Sequence, residues 1–135
     1  MVSKASGSDI VNLSSRYATQ AILGATGKNI PIRFLENIAL VESKFGQHPN
    51  TFNGKADKGI WQFTSKGLAE TKLNKPNLKK AREAIAEEWG IDWSKVKRSD
   101  LDTPLYSALA AGLFILSRIK EDIPENDYVA QGRLW

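Results

Sequence analysis

Apolar residues recur along most of the chain at intervals of three and four, the spacing of one face of an α-helix. Ile10, Leu13, Tyr17 and Ala21 predict a first helix over about residues 8–23, opened by Ser8 and closed by Gly24. Phe34, Ile38, Val41 and Phe45, flanked by Leu35 and Ala39, predict a second over about 31–45, with Pro31 in its first turn and Gly46 at its stop. Thr64 or Ser65 opens a third helix through about Leu73, and a fourth covers about 77–89 before Gly90 breaks it. Residues 91–103 read as a polar connection. The strongest helix follows, over about 104–122, where Leu105, Ala108, Leu109, Gly112, Ile115, Leu116 and Ile119 form one apolar face ahead of Pro124. Asn126 caps a short last helix through about Gln131.

Between the second and third helices, residues 47–63 are rich in Asn, Gly, Lys and Asp and read as a loop or short hairpin. They end in the run Gly59-Ile60-Trp61-Gln62-Phe63. Strand signals are sparse elsewhere. The pattern predicts a mainly α fold with a small β-hairpin or loop near residues 50–63. A single domain is expected over 8–135, behind a loose N-terminus at 1–7.

Composition narrows the chemistry. A chain of 135 residues suffices for one self-supporting core. With no cysteine, disulfides, cysteine-based zinc sites and a cysteine nucleophile are excluded. His48 is the single histidine, so no metal site is expected and no cofactor is required. The net charge of +4 favours anionic partners such as nucleic acid, anionic lipid or bacterial cell wall, without choosing among them. Lys72, Lys75, Lys79, Lys80 and Arg82 form the most basic stretch, but Glu70, Glu83, Glu87 and Glu88 interleave with them. No nucleic-acid-binding motif accompanies them, and a solvated helix face is the reading preferred to nucleic-acid binding. Met1–Asp9 lack an apolar stretch, so no secretory signal is expected. The longest apolar run, Ala108–Leu116, is too short to span a bilayer.

One charge falls where the pattern disfavours it. Glu42 lies three residues after Ala39, four after Ile38 and three before Phe45, on the apolar side of the second helix. Burial of an unpaired carboxylate is costly. Desolvation and the nearby helix C-terminus would both hold it protonated, as a general acid requires. The alternatives are a structural glutamate paired with an arginine or lysine, or one at the edge of the apolar stripe.

The neighbours sharpen this reading. Ala39-Leu40-Val41-Glu42-Ser43-Lys44-Phe45-Gly46 resembles the Glu-Ser motif of soluble lytic transglycosylases. The run Gly59-Ile60-Trp61-Gln62-Phe63, beginning 17 residues after Glu42, resembles that family's Gly-Leu-Met-Gln motif. Thr103–Ser117 resembles its core helix. The resemblance covers about residues 31–132 and is nearest to the transglycosylase-like domains of phage tail and virion proteins. It implies an α+β, lysozyme-like fold and a peptidoglycan substrate cut between N-acetylmuramic acid and N-acetylglucosamine. By the same resemblance, Glu42 is the catalytic acid/base. Ser43 binds substrate or orients the catalytic region, Gln62 hydrogen-bonds in the cleft, and Trp61 and Phe63 are candidates to pack on sugar faces, with at least one of the two expected in the core. Tyr128 and Gln131 stand near the family's terminal tyrosine motif, although Tyr128-Val129-Ala130-Gln131-Gly132 departs from its spacing. Further implied are a phage virion or the bacterial wall and periplasm as the place of action, and other virion or tail proteins as partners. A hydrolytic muramidase would need a second carboxylate. Asp57, between the two motifs, is the candidate, against a plain turn residue in Lys55-Ala56-Asp57-Lys58-Gly59. Asp92, Asp100 and Asp102 are expected to be solvated or capping. A cell-wall-binding or virion structural module without activity is the non-enzymatic alternative.

Overall fold

The computed structural model describes residues 6–48, 51–52 and 59–119. Five α-helices follow in order: α1 (Ser8–Thr26), α2 (Ile32–Ser43), α3 (Ser65–Glu70), α4 (Pro76–Trp89) and α5 (Pro104–Arg118). Two 3-10 turns, Trp93–Lys95 and Arg98–Asp102, link α4 to α5. The protein is a mainly α single domain. Among the described residues no strand forms: those within 50–63 lie in turns, apart from an isolated bridge at Phe63. The final helix expected at 126–131 lies outside the described residues.

The nearly all-apolar α5 is the core of the domain, burying Leu105, Ala108–Leu113, Ile115 and Leu116. Helices α1, α2, α3 and α4 all pack on it, α1 most extensively. Close approach depends on Gly112, where a Cβ would sit 2.5 Å from Ile22 Cδ1. The buried face of α1 is made of small and medium residues: Val11, Ser14, Ser15, Ala18, Thr19 and Ile22. The expected stripe through Leu13 and Tyr17 is displaced to the surface, where both are exposed. Tyr17 instead meets Trp89 of α4 edge-on, with centroids 6.1 Å apart.

Helix α1 runs past Gly24 and stops at Gly27, whose left-handed backbone (φ +73°) returns its N–H to the Leu23 carbonyl. The 91–103 connection is less polar than its composition suggests. Trp93, Val96 and Leu101 are buried, and the Trp93 indole donates to Thr71 Oγ1 at 2.8 Å.

The basic stretch is not simply a solvated face. Lys72 Nζ donates to the Val96 carbonyl at 2.7 Å, and Lys75 Nζ to that of Ser117 at 2.7 Å. Arg82 Nη1 donates to the Thr71 and Leu73 carbonyls, both at 2.9 Å. These cations satisfy main-chain acceptors at helix ends and tie α3, α4 and α5 together. No helix among the described residues is long and apolar enough to cross a membrane.

Candidate active site

The inward row of α2 runs through Leu35, Ala39 and Ser43, with Phe34 and Ile38 beside it. Successive members lie four residues apart, so Val41 and Glu42 turn outward at the last turn. Val41 is 82% exposed and Glu42 is exposed as well. The expectation of a desolvated Glu42 is corrected here: Ser43, not Glu42, is the polar residue that enters the core.

Ser43 is 1% exposed and its hydroxyl joins three backbone groups. It donates to the Ile60 carbonyl at 2.6 Å, lies 3.3 Å from the Ala39 carbonyl, and accepts from the Gly46 N–H at 2.9 Å. A buried hydroxyl is tolerable when it is satisfied in this way. The bond to Ile60 spans 17 residues and fastens the end of α2 to the Gly59–Phe63 segment. Its hydroxyl is engaged by the protein rather than presented to a ligand.

The chain leaves α2 through three consecutive left-handed residues, Lys44 (φ +50°), Phe45 (φ +59°) and Gly46 (φ +83°). Such a backbone costs a non-glycine residue about 1–2 kcal/mol. It persists where surrounding contacts over-determine it, commonly beside functional groups. Here the Gly7 N–H donates to the Phe45 carbonyl at 2.8 Å, and a Cβ on Gly46 would meet Ile60 Cγ1 and Ser6 Cβ at 2.9 Å. The turn after Glu42 is held between the Gly59–Phe63 segment and the start of the chain.

The Gly59–Phe63 segment is itself tightly constrained. Gly59 is left-handed (φ +78°) and rests on the Leu101 carbonyl, which an added Cβ would approach to 2.0 Å. Trp61 is fully buried, its indole donating to the Leu35 carbonyl at 2.9 Å. Phe63 is 3% exposed and meets Phe114 edge-on. Neither ring is a surface platform, which corrects the assignment of Trp61 to a sugar face. The indole has a core acceptor and a core cavity to fill. Gln62 is left-handed too (φ +52°) and half-buried. Its Nε2 donates to the Gly59 carbonyl at 2.7 Å and the Thr51 carbonyl at 3.0 Å, so the amide braces the turn.

Asp57, Tyr128 and Gln131 lie outside the described residues. Of the other acids, Asp92 accepts from the Ser94 hydroxyl (2.6 Å) and N–H (3.1 Å) and caps a 3-10 turn. The Ser94 hydroxyl, joined by the Ser94 N–H and the charge of Lys95, holds the Asp92 carboxyl below its ordinary value. Asp100 accepts from the Lys97 N–H at 2.7 Å. Asp102 departs from expectation, since its Oδ1 is buried without a hydrogen-bond partner. Among the described residues no group of three His, Cys, Asp or Glu side chains is placed to hold a metal ion. One residue of the site's frame was overlooked in the sequence. Ser107 is fully buried on α5, with its Oγ 3.4 Å from the Trp61 N–H. A serine inside an otherwise apolar helical face was the available signal.

Glu42 is thus an exposed carboxylate at a helix end, beside a strained turn that Ser43 latches to a buried Gly-x-x-Gln segment. Compared with known proteins, the chain matches no family model, no curated protein and no solved structure.

Proposed function

We propose that this protein cleaves the glycan strand of peptidoglycan between N-acetylmuramic acid and N-acetylglucosamine, as a lytic transglycosylase with Glu42 as its only protein acid/base. The observation that carries the reading is the hydrogen bond from Ser43 Oγ to the Ile60 carbonyl at 2.6 Å. It joins the two segments whose sequences resemble the family's motifs, at the residue next to the candidate acid. The left-handed turn at Lys44–Gly46 supports it, because strain of this kind gathers at functional sites.

In the proposed reaction, the Glu42 carboxylic acid gives its proton to the glycosidic oxygen as the bond to C1 breaks. The neighbouring acetamide oxygen of the substrate stabilises C1, as in substrate-assisted glycosidases. The Glu42 carboxylate then takes the proton of the muramyl 6-hydroxyl as that oxygen bonds to C1, closing a 1,6-anhydro ring. No water is consumed and the acid is regenerated. Because Glu42 is exposed in the free chain, the bound glycan itself must exclude water from the acid. The net charge of +4 favours adsorption to an anionic wall, and the resemblance to phage tail and virion domains is what supports proposing that encounter at the bacterial surface.

The test is mass spectrometry of muropeptides released from purified peptidoglycan by the wild-type chain and by Glu42→Gln. Anhydro-muropeptides from the wild type, absent with the variant, are the expected result. Products heavier by one water, also absent with the variant, would replace the transglycosylase with a hydrolase and direct attention to Asp57→Asn. No release by the wild type, on substrate that a control muramidase cuts, would leave a wall-binding or virion structural module.

A further inference from the structure

We infer that Ser107 is a positioning residue that sets the Gly59–Phe63 segment against the end of α2, and through it the surroundings of Glu42. Three side chains or carbonyls grip this segment from the helices around it. From α2, the Leu35 carbonyl receives the Trp61 indole N–H at 2.9 Å, and Ser43 Oγ donates to the Ile60 carbonyl at 2.6 Å. From α5, Ser107 Oγ faces the Trp61 main-chain N–H at 3.4 Å. The same oxygen stands 3.0 Å from where a Cβ on Gly59 would be, so the segment lies close against Ser107.

Burial explains why a hydroxyl is needed here. Ser107 is 0% exposed and is the buried polar residue of a helix whose other buried positions are apolar. An alanine would suit packing alone. Trp61 is also 0% exposed, so its main-chain N–H has no route to water and needs a protein acceptor. The neighbouring main-chain groups have theirs: the Gln62 N–H returns to the Gly59 carbonyl at 3.0 Å, and the Ile60 carbonyl is taken by Ser43. Ser107 supplies the acceptor on the α5 side. Without it the Trp61 N–H loses its acceptor on α5, and the segment keeps only the Phe63–Phe114 ring contact there, so it can shift along α5 and move the Ile60 carbonyl on which the Ser43 latch closes.

The effect on activity rests on the cleavage reading above; the grip on the segment does not. The test therefore reads both in the full chain, with Ser107→Ala compared to wild type well below the melting transition. Amide hydrogen exchange at Trp61 is expected to quicken by about tenfold or more, while amides within α4 keep their protection. In muropeptide release, kcat is expected to fall roughly ten- to hundredfold with KM little changed, the pattern of a misplaced rather than a missing binding group. Ser107→Cys, similar in size with a weaker acceptor, is expected between the two and carries the comparison if the alanine variant does not fold. Unchanged Trp61 exchange, or unchanged kcat in a folded Ser107→Ala chain, would overturn the inference. If the wild type releases nothing, the cleavage reading fails and the exchange measurement alone decides whether Ser107 holds the segment.

Discussion

Gly59 offers the sharpest test of how the site is built, because the structure supplies its own control. Gly59 and Gly90 both occupy left-handed backbone, at φ +78° and +68°. They differ in what surrounds them. A Cβ on Gly90 would meet nothing within 4 Å, whereas one on Gly59 would lie 2.0 Å from the Leu101 carbonyl oxygen and 2.9 Å from its carbon. Alanine in left-handed backbone costs about 1–2 kcal/mol, offset by roughly 0.4–1 kcal/mol from the stiffer unfolded chain. Gly90→Ala should therefore lose about 1 kcal/mol. Gly59→Ala carries the same backbone term plus overpacking against main chain that cannot rotate away, about 1–3 kcal/mol more. Its total of about 2–4 kcal/mol is a large fraction of the roughly 5–15 kcal/mol that stabilises a typical domain. Urea unfolding of both variants measures the difference. With a slope of about 1–3 kcal/mol per molar, an extra 2 kcal/mol moves the midpoint by about 1 M. Equal midpoints for the two variants would refute the close packing of Gly59 on Leu101, and with it the account of how the 3-10 turn before α5 fixes this segment.

Other expectations follow from single observations. Ser15 Oγ is buried on α1 with no hydrogen-bond partner, so Ser15→Ala should be neutral or stabilising by up to about 1 kcal/mol; a clear loss in the same urea assay would mean that the hydroxyl has an acceptor after all. Asp92 has a lowered pKa in the folded chain, so its ionised form favours folding above its ordinary value of 3.8, and that contribution disappears as pH falls through the folded value. The melting temperature of Asp92→Asn should accordingly lie below wild type near neutrality and converge on it as the pH falls below 3.8 and through the folded value. A gap that widens on acidification would contradict the sign.

Among the described residues the five helices and their order were legible from period and punctuation, since Gly90 and Pro104 stop or start helices by backbone chemistry that acts locally, whereas α1 runs past the expected stop at Gly24 to Gly27. What periodicity misjudged was which side of a helix faces inward. On α1 the large apolar residues Leu13 and Tyr17 point outward, and the buried row contains Ser14, Ser15 and Ala18. On α2 the pattern favoured Val41 and Phe45, while the buried row runs Leu35, Ala39, Ser43. A hydrophobic wheel weighs side chains by size. Helices that approach a central helix closely select small ones, and Gly112 on α5 marks how close the approach of α1 is. Likewise, 91–103 looked polar by count because its four buried residues, Ile91, Trp93, Val96 and Leu101, are spaced by turns rather than by a regular period.

The same displacement sets how Glu42 would act in the proposed cleavage. Had α2 presented its large-residue face to the core, Glu42 would be buried and Ser43 exposed, with the acidity set by the protein. The observed rotation reverses the pair: Ser43 becomes a buried latch and Glu42 an exposed group carried on its neighbour. In the proposed cleavage an exposed carboxylate would gain the proton affinity that a general acid needs when the glycan covers it, so acidity and substrate binding would become one event. Accuracy of placement then depends on what cannot move, namely the Ser43–Ile60 hydrogen bond, the left-handed turn at Lys44–Gly46 and the Gly59 contact with Leu101. The adjacency of Glu42 and Ser43 thus has a mechanical reading. The residue that presents to solvent is placed by the next one, which is locked to a segment 17 residues away.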